Sequence, residues 1–206
     1  KEDGKRGFRD EELTEADCKR IKDEIGKQIL SEDDYNEIGM DHFAFQKDAL
    51  YKSIEKKELH RNFMGYTSSK TQMMIGLGVS EISDSWYGFA QNVKNIEEYN
   101  HLLKDNIHPV YRGHILNSED LIISKHILTL MCQFQTSWSS PHLFLDELSE
   151  IASELEEMEV DGLIEINLHT LKITNKGKPY VRNVCMAFDL LLQRKKPETR
   201  LFSMTV

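Results

Sequence analysis

A chain of 206 residues, 39% of them hydrophobic and 30% charged, can bury one large core or two smaller ones, which excludes disordered and collagen-like proteins. No apolar run approaches the roughly 18 residues of a transmembrane helix, and the first residues lack the apolar segment of a secretory signal, so the sequence predicts a cytoplasmic protein without a membrane partner. The net charge of −9 argues against nucleic acid as a partner, because phosphate backbones attract basic surfaces.

The cysteines give no sign of a metal site. Cys18, Cys132 and Cys185 are far apart, odd in number and not arranged as Cys-x-x-Cys. We therefore predict neither a disulfide framework nor metal ligands in this chain. Because the chain begins with Lys and not with Met, we expect it to be part of a longer protein.

The N-terminal region predicts a helix, a strand and a second helix. The sequence TEAD resembles a capping box, and apolar residues at helical spacing after it predict a helix over about 15–30. The short run YNEIGM predicts a strand that delivers Asp41 and His42 at its C-terminal end, and a helical stretch follows at about 48–57. One and a half α/β units cannot close a barrel, so we expect further units upstream.

The next segment, MMIGLGVSEIS, is apolar and carries Gly76 and Gly78. A Gly-x-Gly pair alone is a weak nucleotide signal, and it predicts close backbone packing here. The sequence NVKNIEEYNHLLKDN predicts a surface helix. The break at His108 and Pro109 then marks a domain boundary.

The C-terminal region predicts helices around a hairpin, and the two predicted domains comprise residues 1–108 and 109–206. One helical face opens at Asn117 or Ser118 and comprises Ile123, Ile127, Leu130, Met131 and Phe134. A second helix, ended by a turn at Asp161 and Gly162, carries Phe144, Leu148, Ile151, Leu155 and Met158. The segment LIEINLHTLKIT predicts a hairpin, after which KGKPYVRNVCMAFDLLLQRKK returns to helix. His126, on the polar side of the first helix, is predicted to be inert.

Helix, helix, two-stranded wing and helix is a winged-helix-like order, which raises the hypothesis of DNA binding. The second helix, however, presents acidic residues where a groove reader needs Arg, Lys or Asn: Glu147, Glu150, Glu154 and Glu157. We therefore predict a packing module that covers a partner domain and not a nucleic-acid reader.

Several motifs together resemble a known family. In order and spacing, IGMDHFA, LHRNFMGYT, IGLGVSEIS, YGFAQN and TNKGKPYVRNVCMAFD are similar to the second half of the oxygen-independent coproporphyrinogen III dehydrogenases, which are radical S-adenosylmethionine (SAM) enzymes of haem biosynthesis. The related haem chaperones typically carry other sequences at GMDHFA and HRNFMGY. The resemblance implies a mixed, α-rich fold, with the last α/β units of a partial radical-SAM barrel followed by a mostly helical, winged-helix-like domain.

The resemblance also implies the chemistry of the whole protein. A 4Fe-4S cluster and SAM generate a 5′-deoxyadenosyl radical that abstracts hydrogen from coproporphyrinogen III, so that two propionates become vinyl groups with loss of carbon dioxide. The family's cluster-binding Cys-x-x-x-Cys-x-x-Cys is absent from this sequence, so the chain alone is expected to be inactive and to bind no cofactor. The resemblance leaves the electron donor unspecified, and we expect a monomer at full length.

The cofactor-binding residues that the resemblance implies are Phe63, Met64 and Ile82, where a second SAM or the substrate is held. Met64 stands where the family usually has Gln, and a thioether cannot donate the hydrogen bonds of an amide. Met73 stands where Asp is common, and Glu81 where a small residue is common. These departures fit an active enzyme, a divergent paralogue or a degenerate one.

The substrate-binding residues that the resemblance implies are Asp41, His42 and Arg61, at the end of the barrel strands where such sites lie. Arg61 suits a propionate, because its fork of N–H donors matches a carboxylate, but a structural ion pair is equally open. The residue types alone also allow Asp41 and His42 to satisfy backbone groups, and Phe63 and Ile82 to be plain core residues. No catalytic residue is predicted in the chain.

Two other classes of function stay open. The first is a non-catalytic interaction domain kept after loss of the barrel. The second is a haem- or porphyrin-binding chaperone that binds its ligand without turnover.

Overall fold

The computed structural model of the protein describes residues 16–71 and 73–195. Its helices are α1 (Ala16–Glu32), α2 (Ala49–Glu55), α3 (Ile96–Lys104), α4 (Ser118–Gln133), α5 (Leu148–Glu154), α6 (Glu156–Val160), α7 (Val181–Phe188) and α8 (Leu190–Lys195). Its strands are β1 (Tyr35–Gly39), β2 (His42–Phe45), β3 (His60–Asn62), β4 (Gly65–Thr67), β5 (Met73–Met74), β6 (Ile82–Ser85), β7 (Gly88–Asn92), β8 (Val110–Ile115), β9 (Gln135–Ser137), β10 (Ile164–Asn167) and β11 (Thr170–Ile173). Across these ranges no helix is both long and apolar enough to cross a bilayer.

The predicted order of helix, strand and helix at the start of the chain is confirmed by α1, β1 and α2, although part of the TEAD capping box lies outside the described residues. The strand differs from the prediction in one respect, because it turns back on itself. β1 pairs antiparallel with β2 through a reversal at Met40, whose φ of 53° is left-handed. Asp41 and His42 therefore lie at a hairpin turn.

The described strands form four antiparallel sheets. These are the hairpin β1–β2, the hairpin β3–β4, a four-stranded sheet in the order β5-β6-β7-β8, and a three-stranded sheet in the order β10-β11-β9. Strand β8 lies after the boundary predicted at His108 and Pro109, yet it pairs with β7. The sheet thus continues across the break, and the division into two domains stays a prediction.

Of the glycine pair in MMIGLGVSEIS, Gly76 serves the predicted close packing, whereas Gly78 is favoured by its backbone conformation. A Cβ on Gly76 would lie 2.9 Å from the backbone of Ile82, and Gly78 has a φ of +116° that disfavours other residues. The Asn92 amide donates to the carbonyls of both glycines, at 3.1 and 2.8 Å. This network fixes the loop that enters β6.

Most of the predicted C-terminal elements are confirmed. Asn117 and Asp120 form a reciprocal capping box at the start of α4, and the hairpin is β10–β11. The helix predicted after the hairpin is divided at Asp189 into α7 and α8. The predicted second helix is wrong as a single element, because the chain breaks it at Leu155 into α5 and α6. Phe144, predicted on its apolar face, has an extended backbone and is exposed.

Two apolar clusters hold these elements together. The buried residues of the larger cluster come from residues 123–190 and include Leu130, Val184 and Phe188, with Met40 packed against them. The smaller cluster joins buried residues of β1, β2 and β4 to Cys132 of α4. The Tyr66 hydroxyl of β4 donates to the Met131 carbonyl of α4 at 2.9 Å and so joins the two.

His126 departs from its predicted place on the polar side of α4. It is 1% exposed and lies in the core beside Phe188. Its two ring nitrogens are 2.7 Å from Thr136 Oγ1 and 2.8 Å from the Leu143 carbonyl. Because both nitrogens have partners, burial of this polar ring is tolerated.

Candidate functional site

The three predicted substrate-binding residues lie around one aromatic ring, that of Tyr66. The His42 ring meets it edge-on, with centroids 5.1 Å apart, and the Arg61 guanidinium lies 4.6 Å from its centroid. Asp41 Oδ1 is 2.9 Å from His42 Nδ1. The structure thus brings residues from two hairpins into one cluster, which we call the Tyr66 cluster (Asp41, His42, Arg61 and Tyr66).

Strand register and two glycines make this cluster possible. Arg61 and Tyr66 are cross-strand partners in the β3–β4 hairpin, where such pairs have close Cβ atoms. A Cβ on Gly65 would lie 2.7 Å from His42 Nε2, and one on Gly39 would lie 2.6 Å from the Tyr66 hydroxyl. Side chains at either glycine would push the rings apart.

In the Tyr66 cluster, the Asp41 carboxylate has a hydrogen-bond partner, whereas one nitrogen of the Arg61 guanidinium has none. Burial raises the pKa of Asp41, but hydrogen bonds from its own backbone and from His42, together with nearby Arg61, bring the pKa below its ordinary value. Burial raises the pKa of Tyr66 to about 12. Arg61 Nη1 is buried without a hydrogen-bond partner. The alternative role considered for Arg61 was a structural ion pair, and the structure shows no such pair for it over residues 16–71 and 73–195.

The predicted cofactor-binding residues Phe63 and Ile82 line a second feature, a groove of ≈ 290 Å³ on one face of the four-stranded sheet. Phe63 stands perpendicular to Phe89, with ring centroids 5.1 Å apart and an interplanar angle of 88°. The lining comprises Phe63, Ile82, Phe89, Ala90, Gln91, Arg112, Gly113 and His114. The groove therefore combines an apolar floor with polar side chains from β7 and β8.

Met64 does not share this lining, although it follows Phe63 in the chain. Its side chain is 83% exposed, and its backbone N–H donates to Asn62 Oδ1 at 2.9 Å. Met73 and Glu81 are exposed as well. The three departures from the family pattern thus lie on the surface around the groove.

Tyr66 and Arg112 are among the residues of these sites that the sequence did not single out. Tyr66 stands within the quoted motif LHRNFMGYT, but its hydrogen bond to Met131 spans 65 positions. Arg112 lies outside all the quoted motifs and reaches the groove only because β8 pairs with β7. Pairing across a sheet has no local signal, so neither role follows from spacing.

The chain's own residues do not fit an iron-sulfur cluster. Burial raises the pKa of Cys132 to about 11 and that of Cys185 to about 12, and both thiols lie in the apolar interior, whereas clusters are held by several thiolates at one place. Cys18 is exposed on α1. Among the residues that the structure describes, no three His, Cys, Asp or Glu side chains are arranged to hold a metal ion.

The groove, in contrast, fits SAM by the chemistry of its lining. Phe63, Phe89 and Ile82 offer an apolar surface to an adenosyl group, and Gln91 and Arg112 offer hydrogen-bond donors. Arg112 is a cation, which matches the carboxylate of the amino-acid end.

Comparisons with known proteins test the family resemblance. No protein-family model matches the chain. The oxygen-independent coproporphyrinogen III oxidase of Escherichia coli is 33% identical over 172 residues, covering 81% of this chain and 38% of that protein. The protein of the same name in Synechocystis is 35% identical over 186 residues, covering 86% of this chain and 40% of that protein.

A solved structure matches as well. Coproporphyrinogen III oxidase from Escherichia coli, described as a radical SAM enzyme, superposes with a TM-score of 0.81 and 32% identity, covering 90% of this chain and 44% of that one. The chain spans about two fifths of the length of the curated relatives it matches. The resemblance is thereby confirmed, and the chain is homologous to the oxygen-independent coproporphyrinogen III oxidases over that part of their length.

Proposed function

We propose that this chain is the C-terminal portion of a cytoplasmic radical SAM enzyme that converts coproporphyrinogen III to protoporphyrinogen IX by oxidative decarboxylation. The observation that carries the proposal is the grouping of Asp41, His42 and Arg61 around Tyr66. These residues come from the motifs GMDHFA and HRNFMGY, which favour the oxidases over the related chaperones. A 4Fe-4S cluster and SAM, bound by the whole protein, would supply the radical chemistry.

The share of this chain in that reaction is binding and orientation. Arg61 would hold a propionate of the substrate, because its half-buried guanidinium carries an unpartnered nitrogen and a planar fork suits a carboxylate. His42, held by Asp41 at 2.9 Å, would face the same ligand. Phe63 and Ile82 would form walls for the cofactor or the tetrapyrrole, and Met64 would cover the groove from outside.

We further propose that the C-terminal region is a winged helix that packs against the barrel. The order α4, β9, α5, α6, β10, β11 and the sheet order β10-β11-β9 support this assignment. Glu150 and Glu154 on α5 make a nucleic-acid partner unfavourable, because they would repel phosphates. The Tyr66–Met131 hydrogen bond supports packing against the N-terminal region as the role.

Anaerobic turnover of coproporphyrinogen III by the whole protein tests the function. We expect Phe63→Ala to lower turnover about a hundredfold, since misplacing a reactant by about 1 Å has that effect. Arg61→Lys should weaken substrate binding, because it keeps the charge and loses the fork. Arg182→Gln, an exposed change on α7, is the matched control and should leave turnover unchanged.

The iron and sulfide content of each variant is measured as well, because substitutions in the pocket should not prevent assembly of the cluster. Wild-type turnover in both Phe63→Ala and Arg61→Lys would overturn the site assignment. Stoichiometric binding of haem without turnover would instead identify a porphyrin-binding chaperone. Absence of both turnover and tetrapyrrole binding would favour the non-catalytic interaction domain.

A further inference from the structure

One face of the four-stranded sheet carries a row of three aligned side chains. Ile82 of β6 is the cross-strand partner of Gln91 in β7, and Gln91 is the partner of Arg112 in β8. Because successive residues of a strand point to opposite faces, these partners share one face. The row runs from an apolar side chain to a guanidinium, and all three line the groove beside Phe63.

Arg112 is held in one orientation by its neighbour in this row. Its Nε donates to Gln91 Oε1 at 2.9 Å. The other end of the same amide is fixed as well, because Gln91 Nε2 donates to the Ser80 carbonyl at 2.9 Å. With both ends of the amide engaged, the guanidinium plane is set before any ligand arrives.

The two terminal nitrogens of Arg112 remain free to bind. In the part of the chain that the structure describes, Gln91 is the one hydrogen-bond partner of this side chain, and no carboxylate neutralises it. Two acids belong to the neighbouring row on this face or contact it. Asp120 Oδ2 contacts His114 at 2.9 Å and accepts from the Asn117 backbone. Asp84 is the cross-strand partner of the lining residue Phe89, and neither acid forms an ion pair with Arg112 among the described residues.

We propose that Arg112 binds a carboxylate of the ligand that occupies the groove, with Gln91 as the residue that positions the guanidinium. A paired fork of N–H donors fits a carboxylate in bidentate fashion, and such charge-assisted bonds are stronger than neutral ones. The apolar floor formed by Phe63, Phe89 and Ile82 takes the rest of the ligand. The inference rests on the proposed function for its ligands.

Two ligands of that function carry both a carboxylate and flat rings that can lie on an apolar floor. One is SAM, through its amino-acid end, and the other is the tetrapyrrole, through a propionate. Both ligands would therefore present a carboxylate to Arg112. The resemblance predicts that the chain alone binds no cofactor, and the inference departs from that prediction because Arg112 and the groove lie wholly within this chain. Binding measurements on the 206-residue chain separate the sources, with SAM and coproporphyrin III as carboxylate probes and 5′-methylthioadenosine as the probe that keeps the adenosyl group and lacks the carboxylate.

We expect Arg112→Gln to weaken binding of a carboxylate probe by about tenfold to a hundredfold and to leave 5′-methylthioadenosine binding unchanged. Loss for SAM alone identifies the amino-acid carboxylate, and loss for coproporphyrin III alone identifies a propionate. Gln91→Met, which frees the guanidinium to rotate, should give a smaller loss of the same probe. Arg182→Gln serves as the control for net charge and should bind each probe as the unaltered chain does.

Unchanged affinity of Arg112→Gln for both carboxylate probes would overturn the inference, and so would the absence of binding of both probes to the unaltered chain. Equal losses for SAM and 5′-methylthioadenosine would also overturn it, since they would indicate a distorted groove. This binding test can fail or succeed independently of the turnover test of the proposed function. Carboxylate-specific loss in a protein that does not turn over coproporphyrinogen III would leave the inference standing and reject the activity.

Discussion

The earlier region (residues before 116) and the helical region (residues after 116) differ in how far they bury their apolar side chains. The helical region closes around a core that includes Leu148, Ile164, Val181 and Phe188, all 1% exposed. The earlier region has only a small cluster and leaves many large apolar side chains in solvent, among them Ile21, Ile25, Ile29, Phe63, Met64, Met73, Ile75, Leu77, Tyr111 and Ile115. Apolar surface on this scale marks contact sites. The helical region therefore supplies its own stability, whereas the earlier region exposes apolar surface for contacts with other groups.

The difference between the regions is tested most directly by replacing one phenylalanine with alanine in each of them. Phe188→Ala should lower the free energy of unfolding by about 3–5 kcal/mol, because it leaves a cavity in a closed core. Phe63→Ala removes an equal side chain that is 52% exposed and should cost about 1 kcal/mol or less. Urea denaturation of the 206-residue chain, followed by circular dichroism, measures both. Equal costs would contradict the division.

The buried His126 makes the helical region sensitive to acid. Burial lowers its pKa below the ordinary value of 6.5, so the unfolded chain takes up this proton first as the pH falls. The stabilisation is therefore complete above about pH 6.5 and is lost as the pH falls toward the lowered pKa, at no more than about 1.4 kcal/mol per pH unit. An exposed imidazole of the earlier region, such as that of His108, serves as the comparison.

Urea denaturation at pH 7.5, 6.5 and 5.5 checks this expectation. His126→Gln keeps an amide that can reach Thr136 and the Leu143 carbonyl, and it should flatten the dependence of unfolding free energy on pH. His108→Gln replaces an exposed imidazole and should leave the dependence as it is. The same slope in the unaltered chain and in His126→Gln would show that this ring does not govern it.

The comparison also separates what a sequence can predict from what it cannot. Helices α1 and α4 follow from local periodicity, and α4 from its capping residues as well. The break at Leu155 has no Gly or Pro to announce it, and β9 is too short to have a pattern. The family motifs grouped Phe63, Met64 and Ile82. Phe63 and Ile82 line one groove and Met64 does not, whereas Arg112 reaches that groove through strand pairing alone.

The hydrogen bond that joins the two regions should have a moderate effect. Tyr66→Phe leaves the Met131 carbonyl without its partner at 2.9 Å, and we expect a loss of about 1 kcal/mol in unfolding free energy. The phenol is neutral and able to donate at neutral pH, because burial raises its pKa to about 12. Tyr87→Phe, at an exposed position, should cost nothing measurable. An equal, negligible cost for both would mean that the regions are held together by other contacts.

The smallest effect on stability is expected at Met64, where the side chain is 83% exposed. Met64→Gln restores the amide that the family usually has at this position, and it should change the unfolding free energy by no more than about 0.5 kcal/mol, since surface changes rarely exceed that. If the amide reaches a ligand in the groove, SAM should bind up to about tenfold more tightly, because one neutral hydrogen bond contributes about 0.5–1.5 kcal/mol. Met73→Gln, also exposed and outside the groove lining, is the control and should change neither quantity. A loss of more than about 1 kcal/mol in Met64→Gln would show that this side chain supports the fold, so that the exposed apolar surface of the earlier region could no longer be treated as surface kept for contacts.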